Sequence, residues 1–155
     1  NKKISRHTTH YGIDTEPAWS PNSKKLLFTS NRSGSPQIYE LTVSSNRIKR
    51  VTLDGDYNAR ASYFPDGKDI VLVHGNNGVF HIGTKKLRSR FINTISKTTL
   101  DESPTISPNG NIIIYATKNN SQGYLAGLTL DGKSKFTLPV KFGSVREPAW
   151  SPFMN

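Results

Sequence analysis

The sequence predicts an all-β chain built as blades of a β-propeller, and three observations carry that prediction. Pro21, Pro65, Pro108 and Pro152 stand 44, 43 and 44 residues apart, each in a similar setting: "EPAWSPNSKKLLFTS", "RASYFPDGKDIVLVH", "SPTISPNGNIIIYAT" and "EPAWSPF". Each period holds four strand-sized segments, and a repeat near 43 residues with four short strands is the signature of a propeller blade. The 12 Gly and 9 Pro fall mostly between short apolar runs, and only 34% of residues are hydrophobic, which suits many half-wet strands better than a helical core.

In the first unit an inner strand (17–20) meets a Pro-Asx-Gly type turn, where Pro presets φ and Gly accepts positive φ. Ser23 occupies the glycine position there, so that turn is expected to be the least comfortable of the set. The second strand (25–30, 69–74 and 111–117) is rich in Leu, Ile and Val, and its near-continuous apolar run fits burial on both faces. A Gly/Asn/Ser loop leads to a third strand (37–43, 79–84, 124–130) and a polar outer strand completes the unit (48–52, 90–95, 134–138). "KISRHT" (3–8) aligns with "RIKRVT" (47–52), so the chain opens on the outer strand of a preceding blade. It then runs through three whole blades, at about 14–55, 56–99 and 100–143, and ends on an inner strand at 145–153.

Three blades leave a ring open. A wet blade face of about 500 Å² would cost on the order of 10 kcal/mol, as much as the stability of a typical domain. Residues 1–155 are therefore expected to be the C-terminal part of a larger propeller domain, or to be completed by a second copy, with the last strand acting as a clasp. Trp19 and Trp150, with Tyr63 between them in the repeat, are expected to pack between blades, so that Trp19→Ala would cost about 3–5 kcal/mol.

The formal net charge is +10, and its two signs are segregated by position. Twelve of 21 basic residues fall on the outer strands or the hairpins feeding them: Lys2, Lys3, Arg6, Arg47, Lys49, Arg50, Lys85, Lys86, Arg88, Arg90, Lys133 and Lys135. Lysines along an edge strand discourage strand addition by other chains. A nucleic-acid surface would need interleaved aromatics for stacking, and these strands carry only Phe91 and Phe136, so nucleic acid is not an expected partner. Peripheral attraction to anionic lipid is compatible with edge protection. Seven of the 11 acids sit in the outer-to-inner connectors, which ring the channel mouth on one face of a propeller: Asp14, Glu16, Asp54, Asp56, Asp101, Glu102 and Glu147. Such a negative funnel steers a basic partner segment or holds a cation. The candidate partner-binding residues are Asp14, Glu16, Arg60, Asp101, Glu102, Arg146 and Glu147, with His10 and Tyr11 from the first connector. Glu16 and Glu147 precede the Pro that starts an inner strand and are expected to point at the channel; Arg60 occupies the same place one blade on and is expected to pair with a neighbouring carboxylate.

Catalytic chemistry has no visible foothold. His7, His10, His74 and His81 share no context with a Ser and an Asp that reads as a triad, and no Gly-x-Ser-x-Gly elbow or phosphate-cradling Gly loop occurs. His7 and His10 lie on loop or strand, where an i/i+3 pair is poorly preformed for a metal, so neither a metal site nor a cofactor is expected. Zero Cys excludes disulfides and cysteine-based zinc sites, and no apolar run approaches the roughly 20 residues needed to span a bilayer.

The stretches "TEPAWSPNSKKLLFTSNRSGSPQIY" (15–39), "LDESPTISPNGNIIIYAT" (100–117) and "REPAWSPF" (146–153) closely resemble the TolB family of periplasmic propeller proteins. The resemblance implies a six-bladed propeller behind a smaller α/β domain, located in the periplasm as part of the Tol–Pal envelope system. It implies a non-catalytic scaffold that binds the peptidoglycan-associated lipoprotein Pal, contacts inner-membrane Tol proteins, is captured by some colicins, and supports outer-membrane integrity and constriction at cell division. "PAWSPDGK"-like repeats also occur in propellers of prolyl-oligopeptidase-type serine peptidases, the alternative reading. That enzyme would carry its nucleophile on a further hydrolase domain.

Overall fold

The computed structural model describes residues 4–119, 122–131 and 133–151. Among the described residues twelve strands form three four-stranded antiparallel sheets, each a meander in chain order. The first holds β1 (Asp14–Trp19), β2 (Lys25–Ser30), β3 (Gln37–Thr42) and β4 (Arg47–Arg50). The second holds β5 (Tyr57–Tyr63), β6 (Asp69–Asn76), β7 (Val79–Lys86) and β8 (Asn93–Thr94). The third holds β9 (Glu102–Ile106), β10 (Ile112–Asn119), β11 (Gln122–Thr129) and β12 (Lys135–Leu138). Among the described residues there is no helix, and the all-β propeller class expected from the repeat is the class observed. An antiparallel meander puts its first and third turns at one end and its second turn, with the connector to the next sheet, at the other. The molecule therefore has a turn face, carrying the Pro turns and outer hairpins, and a connector face.

The apolar run of β6 explains why the sheets stack. Ile70, Val71, Leu72 and Val73 are all buried, and they alternate between two clusters. Ile70 and Leu72 join Leu27, Ile38, Val51, Ala61 and Tyr63 against the first sheet. Val71 and Val73 join Phe64, Ile82, Ile113, Tyr115, Ala126 and Leu128 against the third. Successive side chains on a strand point to opposite faces, so one continuous hydrophobic strand serves two interfaces.

Turn strain falls where the sequence places it. Gly67 and Gly110 have φ of 68° and 76°, and Ser23 is held in the same left-handed region at 56° without glycine's freedom. Asn22 Oδ1 steadies that turn, accepting from Ser20 Oγ (2.9 Å) and from the backbone N–H of Lys24 (3.1 Å).

Three expectations are corrected. The outer strand of the second blade is only the dipeptide Asn93–Thr94 rather than 90–95, because Arg88–Phe91 form the hairpin tip. Residues 4–8 and 145–151 lie in no strand: the first run makes no ladder, touching the β3–β4 turn through His7 and Asn46, and no described strand follows the second to pair with it. Lys2, Lys3 and residues 152–153 of the two terminal strands lie outside the described residues. Trp19 is 57% exposed, whereas Tyr63 at the same place in the next blade is buried. The inner-strand aromatic packs on the preceding sheet: Tyr63 has the first sheet beneath it, and in the described chain Trp19 has no such sheet.

Candidate functional site: a linked row of residues on the connector face

Each inner strand begins with an irregularity. The register of β1 on β2 shifts between Thr15 and Ala18, that of β5 on β6 between Ala59 and Ser62, and β9 on β10 breaks at the corresponding place. One residue in each bulge adopts the left-handed conformation: Glu16 (φ 56°), Arg60 (54°) and Ser103 (53°), with Glu147 (55°) at the equivalent position beyond the third sheet. None is glycine, although each such conformation costs on the order of 1 kcal/mol or more for an L side chain. Repetition of the same strain at the same place in four units marks it as a built feature of the connector face.

The four side chains meet. Arg60 Nε lies 3.2 Å from Glu16 Oε1, and its Nη1 donates to Ser103 Oγ (2.8 Å) and to Glu147 Oε1 (2.6 Å). The other oxygen of Glu16 accepts from Thr29 Oγ1 (2.7 Å) and from the backbone N–H of Arg60 (3.0 Å). Partial burial works against the charge of Arg60, but Glu147, Glu16 and Glu102 outweigh it and hold the guanidinium pKa above its ordinary value. The expected pairing of Arg60 with a neighbouring carboxylate is observed twice over. Beside this row, Arg146 Nε stands 3.6 Å from Glu102 Oε1. Glu147 is two-thirds exposed and Glu102 about one-third, so both carboxylates still face solvent.

Asp14 and Asp101 are not free funnel carboxylates. They share a repeat column with Asn58, and that column locks the connector. In the second connector Thr52 Oγ1 donates to Gln37 Oε1 (2.7 Å), and Asn58 Nδ2 donates to the same oxygen (3.0 Å). In the third, Ser96 Oγ donates to Asp101 Oδ2. Asp101 is 1% exposed, and its Oδ1 has no partner. Asp14 is clamped by Arg32 Nη2 at 2.8 Å to both oxygens, and that guanidinium lies over the Phe28 and Tyr39 rings. Burial pushes the Asp14 carboxyl up, but hydrogen bonds from Ser30, Arg32 and Thr8 outweigh it and hold it below its usual range. His10 accepts from the N–H of Gly12 (2.9 Å) and stacks on Tyr11, which is almost fully exposed. Among the described residues neither forms a hydrogen bond or ion pair with the Arg60 row.

Sequence reasoning missed Ser103. Its signal lay in the column shared with Glu16, Arg60 and Glu147. It also missed a pocket of about 290 Å³ between the second and third sheets, where Tyr57, Phe80 and Leu100 form apolar walls under Glu16, Arg60, Glu102 and Lys118. Tyr57 and Phe80 meet edge to face at 5.0 Å. Among the described residues no group of three or more His, Asp or Glu is placed to hold a metal ion.

A family model described as the TolB beta propeller domain matches residues 1–154. The chain belongs to the TolB propeller family. Relatives include the Tol-Pal system protein TolB of Pseudomonas aeruginosa, 41% identical over 103 residues, covering 65% of this chain and 24% of the relative. The TolB of Xanthomonas campestris is 39% identical over 116 residues, covering 74% and 26%. The crystal structure of TolB from Acinetobacter baumannii superposes with a TM-score of 0.86 at 40% identity, covering 94% of this chain and 37% of that one. The chain thus spans about a quarter of the length of these curated TolB relatives. A solved structure from a study of two prolyl endopeptidases shares the fold alone, at 16% identity and a TM-score of 0.62.

Proposed function

We propose that the chain is part of a non-catalytic, six-bladed TolB propeller of the periplasm that works in the Tol–Pal system as a protein-binding scaffold. Its partners on this reading are the lipoprotein Pal and inner-membrane Tol proteins, with colicins as parasitic ligands, and its task is to maintain the outer membrane and support constriction at division. The observation that carries the reading is the row Glu16–Arg60–Ser103–Glu147, four left-handed residues on one face, three of them in strand bulges. Rigid side chains held by mutual hydrogen bonds lose little entropy when a partner docks, which favours recognition. The exposed carboxylates of Glu102 and Glu147 steer a basic partner segment toward that face. TolB-named relatives at about 40% identity support the scaffold over the peptidase reading, whose solved neighbours share only the fold.

Glu16 is a poor site for the test, since its carboxylate receives the Arg60 backbone N–H and its loss disturbs the bulge itself. Glu102→Lys/Glu147→Lys changes the charge at the rim. The double variant is expected to stay folded, with a melting temperature lower by no more than about 5 °C because Arg60 loses one of its two carboxylates, and to bind Pal at least about tenfold more weakly. Unchanged affinity by titration calorimetry would remove this face from the mechanism.

A further inference from the structure

The turn face gathers the cations of the outer hairpins. The hairpin "KKLRSRF" (85–91) is built to display them. Lys85 is buried, and its ammonium donates to the backbone carbonyls of Lys86 and Ser89, which holds the hairpin closed from beneath. Leu87 and Ile92 pack against the core on either side of the tip. Lys86, Arg88 and Arg90 are exposed, and Phe91 is 77% exposed with its N–H fixed to Ser89 Oγ (3.0 Å). Next to the hairpin a cleft of about 680 Å³ opens between the first two blades, with five cations and three acids on its walls. One of the acids, Glu40, is 1% exposed and already neutralised by Lys25 (3.0 Å) and Lys49 (3.1 Å). Among the described residues none of Lys68, Lys86, Arg88 and Arg90 has an ion-pair partner.

We propose that this face docks on an anionic phospholipid surface, with Arg88, Arg90 and Lys86 on headgroup phosphates and Phe91 at the acyl boundary. Unpaired cations beside an exposed aromatic at a hairpin tip are the pattern of an interfacial anchor. Single-stranded nucleic acid fits less well, because it needs a row of stacking rings and the tip offers one. Edge protection alone would not account for an aromatic left in water beside three unpaired cations, since lysines suffice to block an edge.

The test is co-sedimentation of the intact protein with vesicles. Binding to phosphatidylglycerol/phosphatidylcholine vesicles is expected, with none to phosphatidylcholine alone, and it is expected to vanish at about 0.5 M salt. Arg88→Glu/Arg90→Glu should weaken binding at least about tenfold, and Phe91→Ser severalfold. Lys97→Glu/Lys141→Glu, an equal change in net charge on the connector face, should leave it unchanged. The proposal is overturned if both double variants bind alike or if the protein ignores anionic vesicles. It is also overturned if inorganic phosphate, single-stranded DNA or an acidic peptide saturates the cleft while vesicles do not bind.

Discussion

At the scale of single residues, the backbone accepts strain where a side chain must be aimed. Glu16, Arg60, Ser103 and Glu147 take left-handed φ although glycine would hold it more cheaply, and their side chains supply the contacts that only those residue types can make. Arg60 is the hub, and a planar fork with several donors suits three acceptors in three directions. Arg60→Met leaves Glu16 and Glu147 facing each other without the cation. It is expected to cost about 1–2 kcal/mol in urea unfolding, a modest figure because the site is partly wet. Ser23 has the same strain and no comparable reward: its turn is already held by Asn22. Ser23→Gly is therefore expected to stabilise the chain by about 0.5–1 kcal/mol by the same measurement, and a loss of stability would mean that the serine makes a contact its geometry does not suggest.

Among elements, the same column does different work depending on what lies beneath it. Tyr63 is buried on the first sheet and its hydroxyl donates to Glu40 Oε2 (2.9 Å), while Trp19 is half in water. Tyr63→Ala is expected to cost about 3–5 kcal/mol and Trp19→Ala about 1 kcal/mol in this chain, a contrast that thermal melts would reveal. Glu40 ties β2, β4 and β5 together. Burial raises its carboxyl pKa, but Lys25, Lys49 and Tyr63 outweigh that and leave it below the ordinary value. A depressed folded pKa stabilises above the unfolded value of about 4.5 and the contribution is lost as pH falls through the folded one. Glu40→Gln is expected to remove about 2 kcal/mol at pH 7 and to flatten stability against pH below pH 5, as acid titrations of both proteins would show. Repeat spacing and the double-sided apolar run of β6 made the blades and their inner strands legible from residues alone. Position in the connector, by contrast, could not separate Glu102 and Glu147, which reach solvent, from Asp14 and Asp101, which turn into the connector locks. That choice depends on which partner the folded connector presents, Arg32 from beyond the next strand for Asp14 and Ser96 from within the same connector for Asp101, and position alone displays neither.

For the whole molecule, the sheets bury their apolar faces only against neighbouring sheets, while the Arg60–Glu147 pair reaches past the third sheet, so stability divides mainly into blade terms and interface terms. The second blade is the one whose second strand, β6, feeds both clusters: Ile70 and Leu72 on one side, Val71 and Val73 on the other. Hydrogen exchange should then be slowest at β6 and β7, fastest at β4, β8 and β12, and intermediate at β2 and β10, because local opening is cheapest where burial is thinnest. Leu72→Ala removes contacts only from the interface with the first blade and is expected to cost about 2–4 kcal/mol. Its effect on exchange should be lopsided, with amides of β1–β3 losing protection while those of β10 and β11 keep most of theirs. Val71→Ala should reverse the asymmetry, at about 1–3 kcal/mol for the smaller side chain. If both variants instead release all three sheets together, the blades fold as one cooperative unit and the interfaces do not act separately.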